Sequence, residues 1–197
     1  MVRASSFCGV ILAAGESSRM GRDKALLPWR GETFLTATIE ALRPWTELVI
    51  VVAGSNAPSL EPRVDATGAS LIVNEAPERG QFSSLQVGLQ EVLNRGRDGA
   101  IITLVDRPPA TPETIAAVRH AFLGSDAWAA IPEYEGRHGH PIVIGREMME
   151  KFLKAPATAV ARDIEHENQE HIRYVKVNDP AVVTNVDTPE EYQRLNP

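Results

Sequence analysis

Apolar residues recur along the chain in two alternating rhythms. Short β-branched runs at 7–13, 48–53, 70–73 and 100–105 read as strands. Between them Leu35, Ile39 and Leu42, then Leu85, Leu89, Val92 and Leu93, return at helical spacing. Strand and helix in alternation is the pattern of stacked βαβ units around a mostly parallel sheet, so the predicted class is α/β. Helix starts are marked by polar residues. Ser83 with Gln86 has the form of a capping box, Thr111 precedes Pro112, and Thr188-Pro189-Glu190-Glu191 combines both signals, while Pro44 closes the first helical stripe. Two further strands are predicted at 128–131 and 141–144, joined by a polar loop at 132–140 that is a candidate substrate lip. No repeat or low-complexity linker divides the chain, and residues 1–197 read as one domain.

Composition narrows the function. With 20 Lys plus Arg against 26 Asp plus Glu, the formal charge is -6, which argues against a duplex nucleic-acid binder needing a basic face for phosphates. No apolar run approaches the roughly 18 residues that cross a bilayer, and residues 1–8 lack a secretory stretch, so neither nucleic acid nor membrane is an expected partner and a cytoplasmic setting is expected. The single cysteine, Cys8, excludes an internal disulfide and multi-cysteine metal sites; it opens an apolar run and reads as a buried strand thiol.

Chemistry concentrates after the first strand. Residues 12–24 read L-A-A-G-E-S-S-R-M-G-R-D-K, with small residues, hydroxyls and cations leading toward the next helix. Small side chains let backbone N–H groups approach phosphate oxygens, and Arg19 and Lys24 can offset charge on departing pyrophosphate. The spacing matches neither a Walker A loop nor a G-x-G-x-x-G fingerprint. Taken alone, the stretch is also compatible with a solvated strand-to-helix connection.

This loop resembles the signature L-A-(A/G)-G-x-S-x-R-M-G-x-x-K of the MobA-like nucleotidyltransferases, with every signature position matched. Four later segments agree in order: G-Q-F-S-S-L at 80–85 with Gly88-Leu89, D-R-P at 106–108, G-H-P at 139–141, and N-V-D-T-P at 185–189. The Ala13-Ala14-Gly15 form and the G-H-P loop are most similar to the molybdenum cofactor cytidylyltransferases. The resemblance implies a three-layer α/β/α, Rossmann-like fold. It also implies transfer of CMP from CTP to molybdenum-loaded molybdopterin with loss of pyrophosphate, dependence on Mg²⁺, and a client molybdoenzyme or its chaperone as a further partner. It places Leu12, Ala13, Ala14, Gly15, Lys24 and Ser84 around the nucleotide, His140 beside the pterin, and Arg19, Lys24 and Asp106 in catalysis. Rival readings are a GTP-dependent guanylyltransferase, a sugar- or alditol-phosphate nucleotidyltransferase, and a catalytically silent cofactor carrier or insertion chaperone.

The carboxylates make sense beside that resemblance. Asp106 follows an apolar run, hence a strand's C-terminal end, where open α/β sheets form their ligand crevice. Asp187 precedes the last capped helix and is placed to converge from the other side. Two hard oxygen ligands suit Mg²⁺, which completes its shell with phosphate oxygens and waters. A turn role for Asp106 and a helix-dipole role for Asp187 are the alternatives. His138 and His140 lack a third ligand at zinc-like spacing, His140 is equally compatible with a plain turn, and no G-x-S-x-G elbow is present. Ser83 and Ser84 read instead as a cap and a nucleotide-contacting hydroxyl. Three positions depart from the family pattern: Arg107, where relatives carry Gln or Met, Asn185, where an acid is common, and A-T-A-V-A-R at 157–162 in place of G-D-x-G-A-R.

Overall fold

A computed structural model describes residues 6–15 and 21–195, and Arg19 lies outside the described residues. The chain runs β1 (Phe7–Leu12), the small hairpin β2 (Pro28–Trp29) and β3 (Glu32–Thr33), α1 (Phe34–Leu42), β4 (Leu48–Ala53), α2 (Ala57–Thr67), β5 (Ser70–Val73) and α3 (Gln81–Asn94). It continues through β6 (Gly99–Leu104), α4 (Pro112–Leu123), β7 (Ala129–Tyr134), β8 (Arg137–His138), β9 (Ile142–Gly145), α5 (Arg146–Lys154), α6 (Ala161–Glu167), β10 (Ile172–Lys176) and α7 (Pro189–Leu195).

The large sheet has eight strands in the order β10-β7-β9-β6-β1-β4-β5, with β8 paired to β7. Strand β1 lies parallel between β4 and β6, β4 pairs parallel with β5 and β7 with β10, whereas β9 runs antiparallel to β6 and β7. The central strands are continuous apolar runs because both their faces are covered. Phe7 and Ile11 face a core layer shared with Leu35 and Ile39 of α1, Leu60 of α2 and Ile115 of α4. Cys8, Val10 and Leu12 face the opposite layer, with Leu85 and Leu89 of α3 and Met148 and Phe152 of α5. This is the three-layer α/β/α arrangement expected. The chain winds one way from β1 through β4 to β5 and then crosses to β6 on β1's other side. That reversal opens a crevice between the C-terminal ends of β1 and β6.

Thr111 caps α4 as predicted, accepting from the Thr114 amide at 3.3 Å, and Thr188 with Glu191 forms a reciprocal cap at α7. Ser83 is a correction. Helix α3 begins three residues earlier than the capping box implies, behind Gly80 at φ 96°, and Ser83 lies inside its first turn with its hydroxyl donating to the Gly80 carbonyl at 2.8 Å. The predicted loop at 132–140 is also partly strand: β7 extends to Tyr134 and turns through Glu135 and Gly136 into β8, a hairpin hidden by its polar composition. Helix α2 carries Pro62 in its interior and buries only Ala57, Leu60 and Val64, too thin a stripe to show as a period. Among the described residues no helix is long and apolar enough to cross a membrane.

Candidate active site

The crevice is built from main-chain contacts at strand ends. Leu12 pairs in register with Leu104, and the next amide, Val105 N–H, donates to the Leu12 carbonyl at 3.1 Å. Asp106 therefore leaves β6 beside the point where the signature loop leaves β1. The loop's far end is fixed by two short-range devices. Asp23 caps the turn at Lys24–Leu26 by accepting from the Ala25 amide at 2.9 Å. Asn56 donates both to the Ala13 carbonyl, at 2.9 Å, and to the second Asp23 oxygen, at 2.7 Å, tying the two ends of the loop together.

Asp187 arrives by a longer route. Val186 is buried with Leu27, Trp29 and Phe34, and its amide donates to the Asp106 carbonyl at 2.8 Å. The Glu191 carboxylate accepts from the Asp187 amide at 2.8 Å, and the Tyr192 hydroxyl donates to the Pro28 carbonyl. These contacts bring together residues 163 positions apart: Lys24 Nζ donates to Asp187 Oδ1 at 2.6 Å and lies 3.8 Å from Asp106 Oδ2.

One ammonium thus sits between two carboxylates in a partly enclosed space, with the Arg107 guanidinium near enough to act on Asp106. Burial raises the Asp106 carboxyl above its usual range, against the opposing pull of Lys24 and Arg107. Asp106 Oδ1 is buried without a hydrogen-bond partner among the described residues. Two hard carboxylates sharing one cation position, one with an unsatisfied oxygen, fit a divalent ion of the Mg²⁺ type that draws its remaining ligands from substrate phosphates and water.

The crevice opens into two adjoining cavities with a shared wall of Leu12, Gly80, Gln81 and Leu104. The first, about 510 Å³, is lined by Ala14, Gly15, Lys24, Ser84 and Asp106. The second, about 540 Å³, has an apolar floor including Phe82, Ile102 and Ile142, and a polar rim including Arg107, His140, Arg162 and Glu165. Each is large enough for one ligand of nucleotide or pterin size. The predicted nucleotide residues Leu12, Ala14, Gly15, Lys24 and Ser84 meet at the first cavity, and His140 lines the second. Ala13 is placed differently: it is buried behind the wall, with its N–H on the Val52 carbonyl and its own carbonyl on Asn56. Asn185 is exposed.

Ser83 and Ser84 both accept from the Asn74 side-chain amide, at 2.9 and 3.0 Å. The Ser84 hydroxyl proton is thereby directed away from Asn74, available to a ligand in the first cavity. Asn74 was missed in the sequence, although it follows an apolar strand just as Asp106 does. Asn56, also missed, lies three residues past the end of β4.

The G-H-P turn is pressed against the segment preceding Asp187. A Cβ on Gly139 would stand 1.8 Å from the Val182 carbonyl oxygen, so no larger residue fits without displacing backbone. The same oxygen accepts from the His140 amide at 2.9 Å and from Arg107 Nη1 at 2.8 Å. Desolvation of the imidazole, assisted by the Arg107 charge, lowers the His140 pKa to about 3, so the ring is neutral near pH 7. Its Nδ1 is buried without a hydrogen-bond partner among the described residues. His140 thus offers a neutral hydrogen-bonding group. Burial raises the Glu165 pKa to about 7, a carboxyl that changes charge near neutrality inside the second cavity.

Comparisons with known proteins bear on the fold and the family. The chain is 24% identical over 184 residues to the molybdenum cofactor cytidylyltransferase of Escherichia coli (strain K12), covering 93% of this chain and 92% of that protein. It is 28% identical over 195 residues to the nicotine blue oxidoreductase of Paenarthrobacter nicotinovorans, covering 95% of each. The crystal structure of Rv0371C of Mycobacterium tuberculosis H37Rv in complex with manganese superposes with a TM-score of 0.78 and 27% identity, covering 96% of this chain and 97% of the other. Residues 9–172 match the MobA-like NTP transferase domain, and the chain belongs to the MobA-like NTP transferase family.

Proposed function

We propose that the cleft transfers CMP from CTP to molybdenum-loaded molybdopterin and releases pyrophosphate. The observation that carries this reading is the placement of consecutive residues on adjoining cavities: Asp106 lines the cavity of the signature loop and Arg107 lines its neighbour. A triphosphate lying against Gly15, Lys24 and Ser84 presents its α-phosphate at the shared wall. An acceptor phosphate in the second cavity approaches it from the other side.

In this step an oxygen of the acceptor's terminal phosphate forms a bond to the α-phosphorus. The bond from the α-phosphorus to the bridging oxygen breaks, and its electron pair leaves with pyrophosphate. The attacking phosphate is already anionic, so the step requires neither a protein nucleophile nor a general base. The protein contributes alignment and charge stabilisation. Lys24 neutralises charge on the departing phosphates, Ser84 donates to a phosphate or ribose oxygen, and the neutral His140 holds a polar group of the acceptor. Asp106 and Asp187 are the residues that would hold Mg²⁺, which supplies charge neutralisation to the phosphate oxygens when bound. The manganese complex of Rv0371C supports a divalent ion in a related protein. The Ala14 methyl on the first cavity favours a pyrimidine over a purine, a discrimination on the order of 10- to 200-fold for one misplaced group. The reading places the chain in the cytoplasm, passing its product to a client molybdoenzyme or its chaperone.

The test is pyrophosphate release with molybdenum-loaded molybdopterin and each of CTP, GTP, ATP and UTP, with the nucleotidylated product identified by mass. The expected result is acceptor-dependent release, fastest with CTP, and a narrower CTP-to-GTP ratio in Ala14→Gly. Fastest release with GTP assigns a guanylyltransferase. Turnover only with an alditol phosphate replaces the acceptor, and tight pterin binding without release supports a carrier.

A further inference from the structure

The second cavity has its own charge pattern, set by residues that the nucleotide chemistry does not use. Three arginines from separate segments line it: Arg79 before α3, Arg107 after β6 and Arg162 in α6. Arg79 and Arg162 are exposed, whereas Arg107 is partly buried and held in place. Among the described residues its guanidinium makes one hydrogen bond, Nη1 to the Val182 carbonyl at 2.8 Å, and its Nε–H is buried without a partner. A desolvated guanidinium with N–H groups to spare, fixed by one backbone contact, is suited to an anion with several oxygens. Being the chain neighbour of Asp106, Arg107 stands at the seam where the acceptor's attacking group must lie.

We infer that Arg107 is the acceptor-specificity residue of this chain, binding a phosphomonoester dianion at the attacking position and rejecting acceptors that lack it. This inference rests on the two-cavity reading above and adds the class of group recognised. The remaining charges of the cavity assign the work to Arg107: Arg79 and His166 are exposed at its rim. The neutral His140 supplies no cation, Glu165 faces Arg162, and His138 pairs with Glu133 at 3.6 Å on the hairpin while its ring stacks on Tyr174.

Matched pairs of probes test this without turnover. Equilibrium binding to the full chain is measured for neopterin monophosphate against neopterin, by pterin fluorescence, and for ribitol phosphate against ribitol, by calorimetry. In wild type the phosphorylated member of the pair that binds is expected to bind at least about tenfold more tightly. In Arg107→Gln that contrast falls below about threefold, Arg107→Lys retains part of it, and the affinity for CTP is unchanged in both. A phosphate contrast that persists in Arg107→Gln overturns the inference. So does an equal loss of both members of a pair, which would make Arg107 only a brace for the Val182 segment, and so does the lack of any phosphate contrast in wild type. If the pterin pair fails to bind while the ribitol pair shows the Arg107-dependent contrast, the molybdopterin assignment falls and the inference stands.

Discussion

The two cavities share one wall and differ in how they are made. The first is assembled almost wholly from motif positions near strand ends: Ala14 and Gly15 after β1, Lys24 at the end of the same loop, Ser84 in the first turn of α3 and Asp106 after β6. The second draws on the β7–β8 hairpin, the Gly139 turn, the segment before α6 and α6 itself, which the sheet order brings together from far apart in sequence. Matched family positions line both cavities, Gly139 and His140 among those of the second. The departures Arg107, Thr158 and Val160 line only the second. The difference teaches that the features particular to this chain fall on the wall of the second cavity and not on that of the first.

The sharpest break of that comparison comes from Lys24→Ala. Turnover is expected to fall on the order of 100- to 1000-fold, as for loss of a preorganised charge-stabilising donor, while the protein stays folded. The variant also leaves Asp106 and Asp187 facing each other without their shared cation, so Mg²⁺ should raise its melting temperature more than it raises that of wild type. Asp106→Asn should shift the Mg²⁺ concentration needed for half-maximal rate. Thermal melts with and without Mg²⁺, beside steady-state kinetics, check all three outcomes.

Gly139→Ala probes the opposite side. With a Cβ position 1.8 Å from the Val182 oxygen, the turn must move, and a destabilisation of about 2–4 kcal/mol is expected by chemical denaturation. CTP affinity should survive in the folded fraction while binding of neopterin monophosphate is lost. Loss of both affinities together would show that the cavities are not separable.

Asn74→Ala acts on the nucleotide side with a smaller effect. Removing an amide that serves two buried hydroxyls and the Ala76 amide is expected to cost about 1–3 kcal/mol and to raise the nucleotide KM more than the acceptor KM.

Glu165→Gln gives the mildest change and the most specific signature. The Glu165 pKa is raised to about 7, so its carboxyl is neutral below that value and ionises as the pH rises through it, placing negative charge beside an anionic acceptor. The acceptor KM should therefore rise by a few-fold between pH 6 and 8 in wild type, and Glu165→Gln should flatten that rise. The same sign holds for stability. A folded pKa above the ordinary glutamate value of 4.5 means that the folded state holds its proton more tightly, so this group's effect on stability worsens from pH 4.5 to about 7 and then levels off.

Legibility in the sequence followed the same division. The parallel core was readable because strands covered on both faces are continuous apolar runs, and the nucleotide loop because its chemistry lies within 13 consecutive residues. Asp106 was found by its place after an apolar strand, and the same rule applied to β5 would have found Asn74, whereas Asn56 stands behind Gly54 and Ser55 and gave no such signal. The β7–β8 hairpin, α2 and the contact of Val182 with both Arg107 and Gly139 left no local signal. They depend on tertiary packing, where a single carbonyl oxygen joins segments whose residues are remote in sequence.

Hydrogen–deuterium exchange on the full chain, with a non-hydrolysable CTP analogue and with neopterin monophosphate added separately, tests the division of the cleft most directly. The account predicts that the nucleotide analogue protects peptides covering residues 14–27, that the pterin phosphate protects peptides covering 137–142 and 158–166, and that both protect 77–85, which forms the shared wall. Protection of 14–27 by the pterin phosphate, or of 137–142 and 158–166 by the nucleotide, would contradict it.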